Sequence, residues 1–298
     1  MQAPWTAAIV TPVADGLGWG EGPAFLAAAG GVVFSDVAAD TMYLWRSGDG
    51  AIRTFRRPSG HANGNTVDHS GRLITCEHRN RRVTRTEADG SVTVIASAYG
   101  GRSLNSPNDV IVARDGAIWF TDPPYGILRG ECGPDARMEQ SGSGVYRVDP
   151  KSGEVVLAID FLDKPNGLAF SPDETRLYVS DTGYSGRPDG NHHIFGFTIA
   201  EGRPRTLTAV REITPGACDG LRIDAAGNIW STAGDGIQCF CADGTLRGRI
   251  DLGEMTTNLC FLPAWPALFV TTPSRALAIA LAGVTAEDGF CRENQIRP

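Results

Sequence analysis

A single layout recurs six times along this chain and constrains its fold more than any other feature. Each copy starts with a polar residue, continues as a short apolar strand, turns through Gly, Asp or Pro, and ends a second strand at a small or acidic residue. The polar residues that open the copies, which we call the lead residues, are Glu21, Asn63, Asn108, Asn166, Asp219 and Thr257. Their spacings are 42, 45, 58, 53 and 38 residues, close to the roughly 40–50 residues of a four-stranded propeller blade. The repeat therefore predicts six blades.

The strand pattern predicts an all-β protein. Short alternating strands and Gly/Asp turns fill the chain, with almost no helical periodicity. Residues 1–298 are predicted to form a single six-bladed β-propeller domain with four-stranded antiparallel blades, because the copies occupy nearly all of the 298 residues. The N-terminal TAAIVTPV segment is predicted to add an outer strand to the sixth blade and so close the ring. A β-sandwich, or two smaller β domains, is the alternative, but the six-fold recurrence is hard to place there.

The charge balance and the apolar pattern exclude several classes of partner. Lys and Arg total 27 against 34 Asp and Glu, a net charge of -7, which argues against nucleic acid and anionic membranes as partners. The sequence shows neither an 18-residue apolar run nor a secretory leader, and its seven cysteines lack metal or redox spacing. We therefore expect a cytoplasmic protein with reduced thiols. We also expect a monomer or a homodimer.

The lead residues are expected to lie around one point. The innermost strand of each blade lines the central channel, so residues at a matched register face the same level of it. A single Asn-Gly or Asp-Gly is usually a turn former, but in this chain all six lead residues carry a side-chain oxygen. The pattern favours a site.

The chemistry of this ring favours a metal. Glu21 and Asp219 supply two carboxylates, and amide oxygens come from Asn108 and Asn166. Oxygen-only ligation with two negative charges suits a hard divalent cation, Ca²⁺ first and Mg²⁺ or Mn²⁺ next. Zinc ordinarily takes His or Cys, which the ring lacks, while Fe²⁺ is left open. The sequence therefore predicts one divalent cation at a central metal site.

The second strand of each copy returns towards the same face of the molecule. Its end is expected to line the entrance, which places there Asp36, Glu77, His78, Asp122, Asp181 and Thr272. The loops 123–144 and 182–193 are long, and long loops in a compact fold are usually functional. We expect 123–144 to form a lid, with Tyr125 and Arg129 as candidate substrate contacts.

Several motifs resemble those of the gluconolactonase/regucalcin-like family of sugar lactonases. They are EGP at 21–23, SPND at 106–109, TDPPYG at 121–126, PNGLAFSPD at 165–173, LYVSDT at 177–182 and CDGLRIDAAGNIW at 218–230. NGNTVDHSGRLITCEH at 63–78 looks like the bacterial gluconolactonase branch. The resemblance covers nearly the whole length. It departs in the sixth blade, where FLPAWPALF replaces a common GGPDG-type turn.

The resemblance implies a function and a ligand set. It implies a six-bladed propeller that hydrolyses sugar lactones, such as glucono-1,5-lactone, with one catalytic cation. The family's ligands match Glu21, Asn108, Asn166 and Asp219 of this chain, and its general base corresponds to Asp219.

Other site residues are predicted from position. Asp181 is the reserve candidate for the base, and Asn63, His78 and Tyr125 are candidate contacts for the hydroxyls of the substrate. A metal-dependent phosphotriesterase and a non-enzymatic calcium-binding propeller remain alternatives.

Overall fold

The structure is a computed structural model that describes residues 5–128, 136–187, 189–263 and 266–283. Its strands form six four-stranded sheets, which are the blades, and one two-stranded hairpin. Strand β1 (Ala7–Asp15) comes first. Blade 1 contains β2 (Gly20–Leu26), β3 (Gly31–Asp36), β4 (Thr41–Trp45) and β5 (Ile52–Arg56). Blade 2 contains β6 (Ala62–Val67), β7 (Leu73–Glu77), β8 (Arg82–Thr86) and β9 (Val92–Ala96).

The hairpin of β10 (Ala98–Tyr99) and β11 (Arg102–Ser103) leads into the third blade. Blade 3 contains β12 (Val110–Val112), β13 (Ile118–Asp122), β14 (Gly144–Val148) and β15 (Val155–Ile159), with helix α1 (Tyr125–Leu128) between β13 and β14. Blade 4 contains β16 (Pro165–Phe170), β17 (Arg176–Asp181), β18 (His193–Ala200) and β19 (Arg203–Glu212).

The last two blades complete the circle. Blade 5 contains β20 (Leu221–Ile223), β21 (Ile229–Thr232), β22 (Gly236–Phe240) and β23 (Leu246–Asp251). Blade 6 contains β24 (Asn258–Phe261), β25 (Ala267–Thr271) and β26 (Arg275–Ala282). Short 3-10 turns occupy Ala27–Ala29 and Gly183–Gly186.

Strand β1 closes the ring as the sequence predicted. It pairs antiparallel with β26, from Ala7 opposite Ala282 to Asp15 opposite Arg275, and so becomes the outer strand of blade 6. Sequence-distant strands thus complete one sheet, and the edge of β26 is covered. The prediction of an all-β, six-bladed propeller with four-stranded antiparallel blades is confirmed, and the β-sandwich alternative is wrong.

The apolar core lies between the blades. Six separate clusters of buried apolar side chains each join two neighbouring blades, including the pair of blades 6 and 1. In the cluster between blades 1 and 6, for example, Phe34 packs on Phe269 with ring centroids 5.3 Å apart. Since these contacts hold the blades around a circle, the inner strands are free to present polar side chains to the channel.

Helix is scarce in this fold. Helix α1 has four residues. None of the helices in the described ranges is long and apolar enough to span a membrane.

Candidate active site

The lead residues form a closed ring at one end of the inner strands. In three places the amide after one lead residue donates to the carbonyl oxygen of the next lead residue, at 2.7–2.8 Å: Gly64 to Asn108, Gly167 to Asp219, and Gly220 to Thr257. The hydroxyl of Thr257 donates to the carbonyl oxygen of Gly20, beside Glu21 (2.5 Å). The hydroxyl of Thr121 in blade 3 donates to the carbonyl oxygen of Asn166 in blade 4 (2.7 Å). The register predicted from the repeat is therefore the register of the fold.

Local backbone irregularities bring the lead residues close together. The pairing of the first two strands shifts at Glu21, Asn63 and Asn166, as in a β-bulge, and bulges redirect side chains next to functional sites. Gly22 shows how tight the approach is, because a Cβ there would lie 2.1 Å from the carbonyl oxygen of Asn63 and its φ is +46°. Only glycine fits this position.

Glu21 and Asp219 bring two carboxyl groups into contact. The Glu21 side chain is 2% exposed, whereas Asp219 is partly exposed. Burial, aided by the charge of Asp109, raises the pKa of Glu21 to about 7, although the Gly22 N–H bonds to Oε2 at 3.0 Å. Burial and the neighbouring Glu21 hold the pKa of Asp219 well above its usual range. Without a counter-charge, such a pair cannot readily ionise twice.

Three further residues of this cluster were missed by the sequence prediction. Asp109 is fully buried and forms an ion pair with Arg222, with Nη1 and Oδ2 3.3 Å apart. The Nδ2 group of Asn258 donates to Oε2 of Glu21 at 3.2 Å. The cluster around Glu21 therefore contains a further acid, Asp109, and a further amide, Asn258.

The repeat did contain a signal for these residues. The position after the lead residue is Gly in four copies, but it is Asp109 in the third and Asn258 in the sixth. Three positions after the lead residue, Arg222 is the charged exception among uncharged residues. A polar or charged residue at a position that is Gly or uncharged in the other copies therefore indicates a further member of the site.

The charges of this cluster fit a dication. Arg222 offsets Asp109, so ionised Glu21 and Asp219 leave two negative charges in a buried place. Within the described ranges, no three His, Cys, Asp or Glu side chains are arranged to hold a metal by themselves. A cation at this ring would therefore depend on two carboxylates together with neutral oxygens, the mixture that Ca²⁺ accepts. The oxygen Oδ1 of Asn63 is buried without a hydrogen-bond partner.

The ends of the second strands do not all face the entrance as expected. The carboxylate of Asp36 accepts the N–H groups of Gly18 and Trp19 (3.1–3.2 Å). The carboxylate of Asp181 accepts the N–H groups of Asp163 (3.0 Å) and Lys164 (2.9 Å). These acids anchor the loop that leads into the inner strand of their own blade.

Glu77, at the same position in blade 2, is an internal ion-pair partner. Its carboxylate accepts from Arg82 Nε (2.7 Å), Asn80 Nδ2 (2.6 Å) and Thr84 Oγ1 (2.9 Å). The expectation that it lines the entrance is not supported, because its oxygens are occupied by neighbouring side chains. The buried ion pair explains why an acid is needed there.

Asp122 and His78 are different because they retain unpaired polar atoms. Oδ2 of Asp122 accepts the N–H of Asn105 (2.7 Å), but Oδ1 is buried without a partner. Burial raises the pKa of Asp122 to about 7. Both ring nitrogens of His78 are buried without a partner, and burial lowers the pKa of His78 to about 3. The imidazole is therefore neutral at physiological pH.

Helix α1 lies across the mouth of the ring. A Cβ at Gly126 would lie 2.6 Å from Cβ of His78 in blade 2. The hydroxyl of Tyr125 bonds to Oγ1 of Thr182 (2.6 Å) and to Oγ of Ser185 (2.9 Å), both in blade 4. The helix thus reaches from blade 2 to blade 4.

The other end of the predicted lid is also anchored. The Nε2 group of Gln140 donates to the carbonyl oxygens of Arg102 (2.9 Å) and Ser103 (3.0 Å) in the β10–β11 hairpin. Arg129, a predicted substrate contact, lies outside the described residues. Opening of this segment as a lid stays a prediction.

Besides the lead residues, the described part of the chain contains two grooves and several free cysteines. Two grooves of about 420 and 410 Å³ open between blades, and neither is lined by a lead residue. Five cysteines, at positions 76, 218, 239, 241 and 260, are free thiols.

Comparison with known proteins agrees with this architecture. Residues 19–274 match the SMP-30/Gluconolactonase/LRE-like region family. A gluconolactonase from Zymomonas mobilis is 31% identical over 291 residues, covering 90% of this chain and 80% of its own. A pentonolactonase from Haloferax volcanii is 26% identical, covering 70% of this chain and 66% of its own. The solved structure of a gluconolactonase from Xanthomonas campestris superposes with a TM-score of 0.88 at 38% identity, covering 94% of this chain and 91% of that one.

The family match extends over most of the described residues and includes all six lead residues, from Glu21 to Thr257. The motifs around these residues had pointed to the same group of proteins. The chain belongs to the SMP-30/gluconolactonase/LRE-like family.

Proposed function

We propose that this chain hydrolyses sugar lactones, with glucono-1,5-lactone as the reference substrate, and that it does so with one divalent cation at the ring. The observation that carries the proposal is the pair of buried Glu21 and partly exposed Asp219, whose two negative charges remain once Arg222 is paired with Asp109. The gluconolactonases and the pentonolactonase to which the chain is similar support the substrate class.

We assign the cation to the oxygens of Glu21, Asn108, Asn166 and Asp219, with Ca²⁺ ahead of Mg²⁺ and Mn²⁺. Hard divalent cations prefer carboxylate and amide oxygens. Binding would compensate the burial and the nearby negative charges that raise the pKa values of Glu21 and Asp219. When bound, such a cation supplies Lewis-acid polarisation of the lactone carbonyl.

Asp219 is the proposed general base. Asp219 is the more exposed residue of the pair, so we assign to its carboxylate the water at the mouth of the ring. The carboxylate takes a proton from this water, whose oxygen bonds to the carbonyl carbon. The ring C–O bond then breaks, and the released oxygen takes up a proton to give the open-chain acid. General-base assistance of this kind contributes about 10²–10⁴-fold.

Asp181 is less suited to that role. Its carboxylate already accepts four hydrogen bonds. Two come from the N–H groups of the preceding loop. The other two come from the N–H of Gly183 (3.1 Å) and the side-chain amide of Asn191 (3.1 Å). A base needs a free lone pair directed at the water. We therefore propose an anchoring function for Asp181.

Asn63 and His78 are the proposed contacts for substrate hydroxyls. Each has a buried polar atom without a partner, and such atoms are uncommon unless a ligand or water completes them. Substrate binding by Tyr125 stays a prediction, because its hydroxyl bonds to Thr182 and Ser185.

The test is proton release in a pH-stat with glucono-1,5-lactone. We expect turnover that chelator treatment removes and that added Ca²⁺ or Mn²⁺ restores. Parallel assays with a paraoxon-like triester separate lactonase from phosphotriesterase activity. Binding of Ca²⁺ without hydrolysis of any lactone would favour the non-enzymatic calcium-binding alternative.

Two substitutions test the assignment of the ring. Asp219→Asn should lower kcat by at least about 100-fold, because the proton acceptor is lost, and Glu21→Gln should weaken cation binding and turnover together. Both variants should keep their thermal stability, since each removes one of two like charges. Glu212→Gln is the control, an acid 58% exposed that pairs with His192 outside the ring. Full activity in either ring variant would contradict the proposed site.

A further inference from the structure

We propose that Thr182 is a positioning residue that fixes the carboxamide of Asn166 with its oxygen towards the ring, and that helix α1 reinforces this through Tyr125. The inference rests on the proposed metal site and names residues outside the four ligands. Thr182 follows β17 and is 6% exposed, and Asn166 is 5% exposed.

The hydrogen bonds of the Thr182 hydroxyl define its direction. It lies near three partners, the carbonyl oxygen of Lys164 (3.1 Å), Nδ2 of Asn166 (3.3 Å) and the hydroxyl of Tyr125 (2.6 Å). Because Nδ2 can only donate, the hydroxyl oxygen of Thr182 accepts from Asn166, and its single proton goes to Lys164 or to Tyr125. One donor and two acceptor positions are all that a hydroxyl offers.

The direction matters because a carboxamide has two chemically opposite ends. The NH₂ group of Asn166 donates to Oγ1 of Thr182 (3.3 Å) and also to the carboxyl group of Asp219. When a cation is held, Asn166 and Asp219 must both present oxygen to it, so the NH₂ group of Asn166 needs an acceptor outside the ring. Oγ1 of Thr182 is that acceptor. Without it, the bond to Asp219 would be the remaining side-chain partner of the NH₂ group, which keeps a donor where a ligand oxygen is needed.

Helix α1 is connected to these hydrogen bonds through the hydroxyl oxygen of Tyr125. The Tyr125 hydroxyl bonds to Oγ1 of Thr182 and also to Oγ of Ser185 (2.9 Å), while Nζ of Lys164 lies 5.5 Å from the centre of the Tyr125 ring. Loss of the tyrosine hydroxyl leaves Thr182 bonded to Lys164 and Asn166. The effect of Tyr125→Phe should therefore be smaller than that of Thr182→Val.

The test is calcium affinity, measured by titration calorimetry on the chelator-treated full chain. Thr182→Val keeps the shape of the side chain but removes the acceptor, and we expect its affinity to fall about 10–100-fold, the usual effect of losing a partner of a metal ligand. Thr182→Ser restores the hydroxyl and should bind within about threefold of the wild type. Ser185→Ala is the matched control, because it removes the other partner of Tyr125 and leaves Asn166 untouched.

A second measurement keeps the inference testable if Thr182→Val is poorly folded. Asn166→Asp has no NH₂ group to satisfy, so in this background Thr182→Ala should change calcium affinity far less than it does in the wild type, as a double-mutant cycle would show. Equal effects in the two backgrounds would overturn the inference.

The outcomes separate this inference from the proposed function. Unchanged affinity in Thr182→Val, with binding lost in Glu21→Gln, would overturn the positioning role and leave the metal site standing. Binding that survives in Glu21→Gln as well would overturn the metal site itself. Weakened binding in Thr182→Val with recovery in Thr182→Ser is the expected result.

Discussion

His78 has a buried imidazole whose two nitrogens both lack a hydrogen-bond partner among the described residues. A buried polar atom without a partner costs about 1–3 kcal/mol, so the residue is not there for stability. His78→Phe should leave the unfolding midpoint unchanged or raise it. The same variant should lower kcat/KM for glucono-1,5-lactone at least about 10-fold relative to δ-valerolactone, which has no hydroxyls.

The control for this prediction is His69→Phe. Nε2 of His69, in the turn between β6 and β7, bonds to the carbonyl oxygen of Ala113 (2.9 Å). That substitution should reduce stability and leave the preference between the two lactones unchanged. An equal loss on both lactones in His78→Phe would remove the residue from hydroxyl recognition.

Asp122 makes the stability of the protein depend on pH. Burial raises its pKa to about 7 in the folded state, against about 3.9 in an unfolded chain. A group with a raised folded pKa stabilises the fold fully below the unfolded value, and this contribution is lost as the pH rises to about 7. Asp122→Asn should abolish that contribution, so its stability relative to the wild type should increase from pH 4.5 to pH 7.5. Denaturant unfolding at several pH values measures the difference, and a difference that does not vary with pH would contradict a raised pKa at Asp122.

At the scale of elements, the acids that end the second strands hold loops in place. Asp181→Asn leaves one carbonyl oxygen for the four donors of its carboxylate, which should cost about 2 kcal/mol or more in the free energy of unfolding. If Asp181 were instead the general base, kcat would fall without a loss of stability. Asp163→Asn is the control, since that acid is 37% exposed and pairs with Arg187.

The elements show where prediction from sequence succeeds and where it ends. The inner strands could be placed because a residue with a side-chain oxygen recurs at one register, and this register selected Glu21, Asn166 and Asp219. Helix α1 and the β10–β11 hairpin were missed, since they lie in segments that have no counterpart in the other copies. Hydrogen bonds such as that from Gln140 to the carbonyl oxygen of Arg102 (2.9 Å) join side chain to backbone and leave no periodic signal.

At the scale of the molecule, the repeat predicted the number of blades because each copy must bury its faces against its neighbours. The six apolar clusters do this pairwise around the circle. Asp109 and Arg222 could not be paired from the sequence, because they are 113 residues apart and meet only when the circle closes. That residues 1–298 form a single domain stays a prediction, since the described part ends at residue 283.

Closure of the circle gives a last prediction about the molecule as a whole. Trp5, just before β1, is 8% exposed and packs on Trp230 of blade 5, with ring centroids 5.1 Å apart. Because β1 also completes blade 6, the packing of Trp5 connects this strand to blade 5 as well.

Trp5→Ala should lower the free energy of unfolding by about 3–5 kcal/mol, as for other buried tryptophans. Lactone turnover of the folded variant should be preserved, because Trp5 lies in the apolar cluster between blades 5 and 6, which contains no lead residue. Ile9→Ala, at a side chain 61% exposed on the same strand, should change stability by less than about 0.5 kcal/mol. Equal stability losses in the two variants, measured by denaturant unfolding, would mean that the pairing of β1 with β26, and not the packing of Trp5, holds the circle closed.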